Sequence, residues 1–144
     1  CDRRQRQMCI RDRVFEQSDI ISIHAPELPS TYHIVNEASI ASMKDGVILI
    51  NTARGTAIDE QALAKALLSG KIKTACLDVY DPEPPCADNP LLKLDNCIMT
   101  PHIAGQAANG LQRIGYNCYC QLLHFLAGER MQGEITRDML NHIA

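Results

Sequence analysis

From Ser18 onward the 144-residue chain alternates short apolar runs with amphipathic stretches. The runs Ile20-Ile21-Ser22-Ile23, Val47-Ile48-Leu49-Ile50, Ala75-Cys76-Leu77-Asp78-Val79 and Cys97-Ile98-Met99-Thr100 have the length and composition of strands buried on both faces. Between them the period lengthens. Asn36 is placed to cap a short helix carrying Ile40 and Met43, with Gly46 just beyond its end. Asp59 is placed to cap a second, in which Ala62, Leu63, Ala66 and Leu67 follow the i, i+3, i+4 rule until Gly70 stops it. A long helix is predicted over residues 106–127, with Leu111, Ile114, Cys118, Leu122 and Phe125 as its apolar stripe. Met139, Leu140 and Ile143 suggest a last short helix in the tail. Strands alternating with helices predict an α/β fold around a doubly wound parallel sheet. Two breaks stand out: a proline-rich loop, Asp81-Pro82-Glu83-Pro84-Pro85, and an Asn89-Pro90 turn.

Composition narrows the class. With 46% hydrophobic and 22% charged residues the chain can build a real core. Its apolar runs fall far short of the roughly 20 residues a membrane helix needs, and no segment is laid out as a signal peptide, so a soluble cytoplasmic protein is expected. Seven cysteines, an odd number without scaffold spacing, read as reduced thiols, two of them inside strands. The formal charge of -3 is unevenly spread. Residues 1–13, CDRRQRQMCIRDR, hold five of the 14 basic and two of the 17 acidic residues, which leaves the remainder at -6. An acidic body argues against a nucleic-acid groove. The basic head could be a nucleic-acid arm or a solvated helix end. A third reading is preferred, because MCIRDR is the translation of a widely used transposase adapter, ATG TGT ATA AGA GAC AGN. Residues 1–13 are therefore expected to be a non-native tail and 14–144 the native part of a chain interrupted upstream.

Ligands of open parallel sheets bind at the carboxyl ends of the strands, and the unusual residues gather there. The first strand ends in His24-Ala25-Pro26, the second in Asn51-Thr52-Ala53-Arg54-Gly55, the third carries Asp78, and the fourth ends in Thr100-Pro101-His102. Arg54, Asp78 and His102 are spaced by 24 and 24 residues, one αβ unit each, so neighbouring units could deliver them to one rim. A fixed cation, a carboxylate and an imidazole together can grip an anion and move a proton.

The segments ISIHAPELPST, LINTARG, LDVYDPEPP and TPHIAG resemble, in order and spacing, the cofactor domain of the D-isomer-specific 2-hydroxyacid dehydrogenases over residues 18–144. The resemblance implies an NAD-dependent oxidoreductase, NADP not being excluded, that moves hydride between the cofactor and a small 2-oxo or 2-hydroxy acid and works as a homodimer at full length. Its catalytic arginine, glutamate and histidine match Arg54, Glu83 and His102. On that reading Arg54 forks onto the substrate's carboxylate and carbonyl oxygen, His102 exchanges a proton with the alkoxide, and Glu83 fixes the tautomer of the imidazole. Cofactor contacts fall on Ala25, Pro26, Thr52, Ala53, Arg54, Asp78, His102, Ala104 and Gly105, with Asp78 accepting from the nicotinamide carboxamide. Many relatives have Gly where this chain has Ala104, which implies a slightly tighter pocket.

Taken singly, these residues have blander readings. A histidine after proline is most often a hydrogen-bonded loop residue, a loop glutamate is usually solvated, and a lone arginine usually makes a surface ion pair. Asp78 is the most telling without any family, because a buried carboxylate needs a partner. His24 is read as a strand end with no role in proton transfer. Cys118, Cys120 and His124 look faintly like a metal cluster, but Cys118 falls on the apolar stripe and the spacing closes no standard zinc site, so core packing is expected and no metal. No G-x-G-x-x-G occurs, and the first of eight glycines is Gly46, so the chain reads as the second half of a dinucleotide-binding domain, expected to bind cofactor poorly on its own. A second class of function stays open: the family also resembles corepressors that use this domain as a nucleotide-sensing dimerisation module.

Overall fold

A computed structural model describes residues 3–106 and 109–139. Its described residues fall into two units that divide between His102 and Ile103.

The first unit is built on four parallel strands, β1 (Ile20–Ile23), β2 (Val47–Asn51), β3 (Ile72–Leu77) and β4 (Cys97–Met99), hydrogen-bonded in the order β1-β2-β3-β4. Each is reached through a helix or helical turn, the connection that parallel strands require. Helix α1 (Arg3–Gln17) precedes β1, α2 (Glu37–Ser42) links β1 to β2, and α3 (Glu60–Ser69) links β2 to β3. The local signals act as expected. Asn36 accepts from the backbone N–H groups of Ala38 and Ser39, while Ser39 Oγ accepts from the N–H of Asn36, closing a capping box. Asp59 caps α3 through Gln61 and Ala62, and Gly70 ends it in the left-handed region at φ 78°. Between them the core is laid down: Val35, Leu49, Leu63, Ile72, Ala75 and Leu91 are fully buried, drawn from helix, strand and loop alike.

Two boundaries differ from expectation. Strand β3 begins at Ile72 and ends at Leu77, earlier at both ends than the run 75–79. Lys73 hides the start, since an exposed lysine is compatible with a strand that alternates about the sheet. Asp78 is consequently the first residue past the strand. In α1, Phe15 is buried, and it alone among the described side chains of that helix. The helix also takes in residues 3–13.

The second unit holds α4 (Gly110–Leu126), preceded by a 3-10 turn at Ala104–Gln106 and followed by one at Arg137–Met139. The helix is shorter than the 106–127 predicted. Its stripe of Leu111, Ile114, Leu122 and Phe125 is exposed, as is Cys118, so the expected core packing of Cys118 is not found. Helical periodicity marks a face that favours cover and says nothing of what covers it. Leu140 and Ile143 of the anticipated tail helix lie outside the described residues. Among the described residues, no helix is long and apolar enough to cross a membrane, and no cluster of His, Cys, Asp or Glu is arranged to hold a metal. Cys9, Cys76, Cys86, Cys97, Cys118 and Cys120 are free thiols, and Cys76 and Cys97 sit in β3 and β4 as anticipated.

Candidate active site

Strand register decides which residues share an edge. Ile23 pairs with Asn51, Asn51 with Leu77, and Leu77 with Met99, so all four strands end level. The next residues, His24, Thr52, Asp78 and Thr100, therefore leave the sheet along one rim, with Arg54 and His102 two positions further on. Equal spacing in sequence becomes proximity because each αβ unit returns the chain to the same edge.

The β2 rim loop is held from beneath. Asn51, fully buried at the strand's end, donates from Nδ2 to the carbonyl of Arg54 at 2.9 Å and accepts at Oδ1 from the N–H of Ala53 at 3.0 Å. One amide thus fixes both sides of a tight turn whose backbone would otherwise bury unsatisfied groups. Gly55 follows because nothing larger fits: a Cβ there would stand 1.9 Å from the carbonyl oxygen of Tyr80, so the β2 and β3 loops meet backbone to backbone. The Arg54 side chain, about half exposed, donates from Nη1 to the Ala53 carbonyl at 2.8 Å and places Nε 3.9 Å from Glu27 Oε2. Glu27 enters the rim two residues after Ala25, beside Pro26, on the β1 loop.

Asp78 is 3% exposed and accepts the Thr100 hydroxyl at Oδ1 over 2.5 Å, which ties β3 to β4 at the rim. The Tyr80 hydroxyl lies 2.9 Å from the carbonyl of Leu77 and 2.7 Å from that of Thr100, bracing the same pair of strand ends. Burial pushes this phenol above its usual range, partly opposed by the bond to Thr100.

From the proline-rich loop Glu83 reaches His102, with Oε1 2.8 Å from Nδ1. His102 adopts φ 54°, a left-handed conformation uncommon for a residue with a side chain, and its N–H bonds back to the Thr100 carbonyl at 3.0 Å. Beside the pair lies a mainly apolar cavity of about 410 Å³ lined by Tyr80, Glu83, Pro84, Pro85, Leu92, Met99 and Pro101.

The first unit thus gathers Ala25, Pro26, Thr52, Ala53, Arg54, Asp78, Glu83 and His102 on one rim. Ala104 and Gly105 open the second unit in its first turn and are exposed. His24 accepts or donates at Nε2 with Ser22 Oγ over 2.9 Å, consistent with a strand-end role. Sequence reasoning passed over Asn51 and Thr100 as supports. Asn51 had a signal, a polar residue closing an apolar run; Thr100 had none, because its partner is 22 residues away.

Residues 2–104 match the family model for "D-isomer specific 2-hydroxyacid dehydrogenase, NAD binding domain". A hydroxypyruvate reductase of Thermotoga maritima is 51% identical over 106 residues, which are 72% of this chain and 35% of that protein. The chain therefore spans little more than a third of the length of this relative. Among solved structures, the TT0316 protein of Thermus thermophilus superimposes with a TM-score of 0.77 at 35% identity, covering 88% of this chain and 40% of its own. A D-isomer specific 2-hydroxyacid dehydrogenase from Xanthobacter autotrophicus, solved with NADPH and MES, gives 0.76 at 32% identity over 87% of this chain and 51% of its own. The sheet, the rim motifs and the family match agree, and the chain belongs to the D-isomer specific 2-hydroxyacid dehydrogenases, in their NAD-binding domain.

Proposed function

We propose that this domain serves an NAD(P)-dependent oxidoreductase acting on a small 2-oxo or 2-hydroxy acid, with Arg54 as substrate anchor and His102 with Glu83 as the acid–base pair. The reading rests chiefly on the 2.8 Å contact between His102 Nδ1 and Glu83 Oε1, made by segments 19 residues apart at a rim that also carries Arg54. A left-handed histidine held this way costs backbone energy, and such strain gathers at functional sites.

The rim suits one end of a dinucleotide. Asp78 supplies an acceptor carboxylate at the strand ends, and Ala25 and Ala53 supply small surfaces for the close approach of a flat ring, with Pro26 and Thr52 beside them. The G-x-G-x-x-G that would cradle a pyrophosphate does not occur in this sequence. A bound nicotinamide would supply or accept the hydride. With Nδ1 held by Glu83, Nε2 of His102 is the nitrogen that gives a proton to the developing alkoxide oxygen or takes one in the oxidative direction. Arg54 exchanges its loose ion pair with Glu27 for the carboxylate of the substrate, where a planar two-point grip both holds the acid and polarises its carbonyl. The homodimer implied by the resemblance belongs to the same proposal.

Assayed in a polypeptide of the relatives' full length with a panel of 2-oxo acids, Arg54→Ala should lower turnover by on the order of 10² to 10³, the usual loss for one transition-state donor. His102→Ala should remove most turnover while cofactor affinity stays nearly unchanged. Near-normal rates in Arg54→Ala would sink the mechanism, and equal loss of turnover and cofactor binding in His102→Ala would make the histidine structural. Cofactor binding without turnover of any 2-oxo acid would favour the binding module.

A further inference from the structure

The Glu83 loop is short of internal fastenings. Pro82, Pro84 and Pro85 have no N–H to donate, which leaves the segment around Glu83 few turn hydrogen bonds of its own. What holds it lies on another element. Glu60, in the first turn of α3, accepts at Oε1 from the N–H of Asp81 over 3.1 Å and at Oε2 from Nδ2 of Asn89 over 2.5 Å. The two contacts fall on either side of Glu83. Asn89 is itself buried and fixed, since its Oδ1 accepts from the N–H of Leu91 and its own N–H bonds to the Cys86 carbonyl. One carboxylate therefore grips both ends of the loop, and its charge strengthens both bonds over neutral ones.

We infer that Glu60 is a positioning residue for the acid–base pair: by clamping Asp81 and Asn89 it sets Glu83 at hydrogen-bond distance from His102. The inference rests on the reading of that pair given above. The competing account is that Glu60 merely complements the dipole of α3. The two accounts differ in what they require. A dipole partner needs charge near the helix end, whereas a clamp needs two acceptor oxygens with the reach of a glutamate.

The test uses the 144-residue chain, labelled for NMR at histidine and backbone nitrogen, read out as the tautomer of the His102 ring and the exchange protection of the Asp81 amide. Glu60→Asp keeps the charge and shortens the reach. It should lower Asp81 protection on the order of tenfold and turn one His102 tautomer into a mixture. Glu60→Gln should lose the Asn89 contact. Glu60→Gln combined with Asn89→Asp should regain it with donor and acceptor exchanged, because the carboxylate so introduced can still accept from the N–H of Leu91. Restoration of the single tautomer in the double variant supports the clamp. Unchanged His102 signals in Glu60→Asp, or a loss in Glu60→Gln that the second substitution fails to reverse, overturn it. Glu83→Gln separates the two levels of failure. If it too leaves the His102 ring unaffected, the acid–base pair falls with the clamp; if it alters the ring while the Glu60 variants do not, only the clamp falls.

Discussion

Helices α3 and α4 each carry an apolar stripe at steps of three and four residues, yet α3 buries Ala62, Leu63, Ala66 and Leu67 while Leu111, Ile114, Leu122 and Phe125 of α4 stand exposed. The same pattern thus produced the same element twice and a core only once. The stripe of α3 meets a sheet whose strands return to it from both sides in sequence, whereas that of α4 is left open among the described residues. Hydrophobic burial is non-directional and scales with the area removed from water, so the pattern shows which face benefits from cover and leaves the cover to tertiary structure.

The largest effect that separates the two helices is truncation of their leucines. Leu63→Ala, at a site with no exposed surface, should cost about 2–5 kcal/mol of unfolding free energy in urea. Leu122→Ala should stay within about 0.5 kcal/mol. Similar costs at both sites would mean that α4 is covered in solution.

Glycines give the next contrast. Gly55→Ala drives a Cβ into the backbone of Tyr80 and should destabilise by about 1–3 kcal/mol, as overpacking does. At Gly115, inside α4, a Cβ meets nothing within 4 Å. Alanine there should add about 0.5–1 kcal/mol through helix propensity. Thermal unfolding of the two variants measures both signs, and a neutral Gly55→Ala would show that the β2 and β3 loops are not in contact.

The smallest effect concerns the thiols. Burial first, then the neighbouring Cys76 and Glu60, pushes Cys97 in β4 up to about 11. A thiol whose native pKa exceeds its unfolded value binds its proton more tightly when folded, so stability should fall as pH rises from the ordinary thiol value of 9.0 toward about 11. Replacing Cys97 by valine should flatten that slope in urea midpoints measured across the window. A slope that survives loss of Cys97 would assign the titration to another group.

Much of the rim was legible before any coordinates. Asn36, Asp59 and Gly70 announced helix ends because capping is a local exchange between a side chain and the nearest backbone groups. Arg54, Asp78 and His102 announced themselves as polar residues at the ends of apolar runs, and a parallel sheet brings such ends together. Asn51 and Gly55 were visible as residues without a visible reason. Glu60 had no signal beyond a place in a first helical turn, since its partners sit 21 and 29 residues away. The start of β3 at Ile72 lay outside the apolar run 75–79, because pairing with β2 carries the strand through the exposed Lys73.

Periodicity, caps and the spacing of polar residues at strand ends are properties of neighbours along the chain, and they determined the alternating α/β elements, the parallel sheet and the identity of the rim. Which oxygen of Glu83 meets which nitrogen of His102, that Asn51 holds the Arg54 turn, that Thr100 meets Asp78 and that Glu60 grips the proline-rich loop from both ends were decided by tertiary structure alone. A hydrogen bond depends on a few tenths of an ångström between groups far apart in sequence, and only the packed sheet sets that distance.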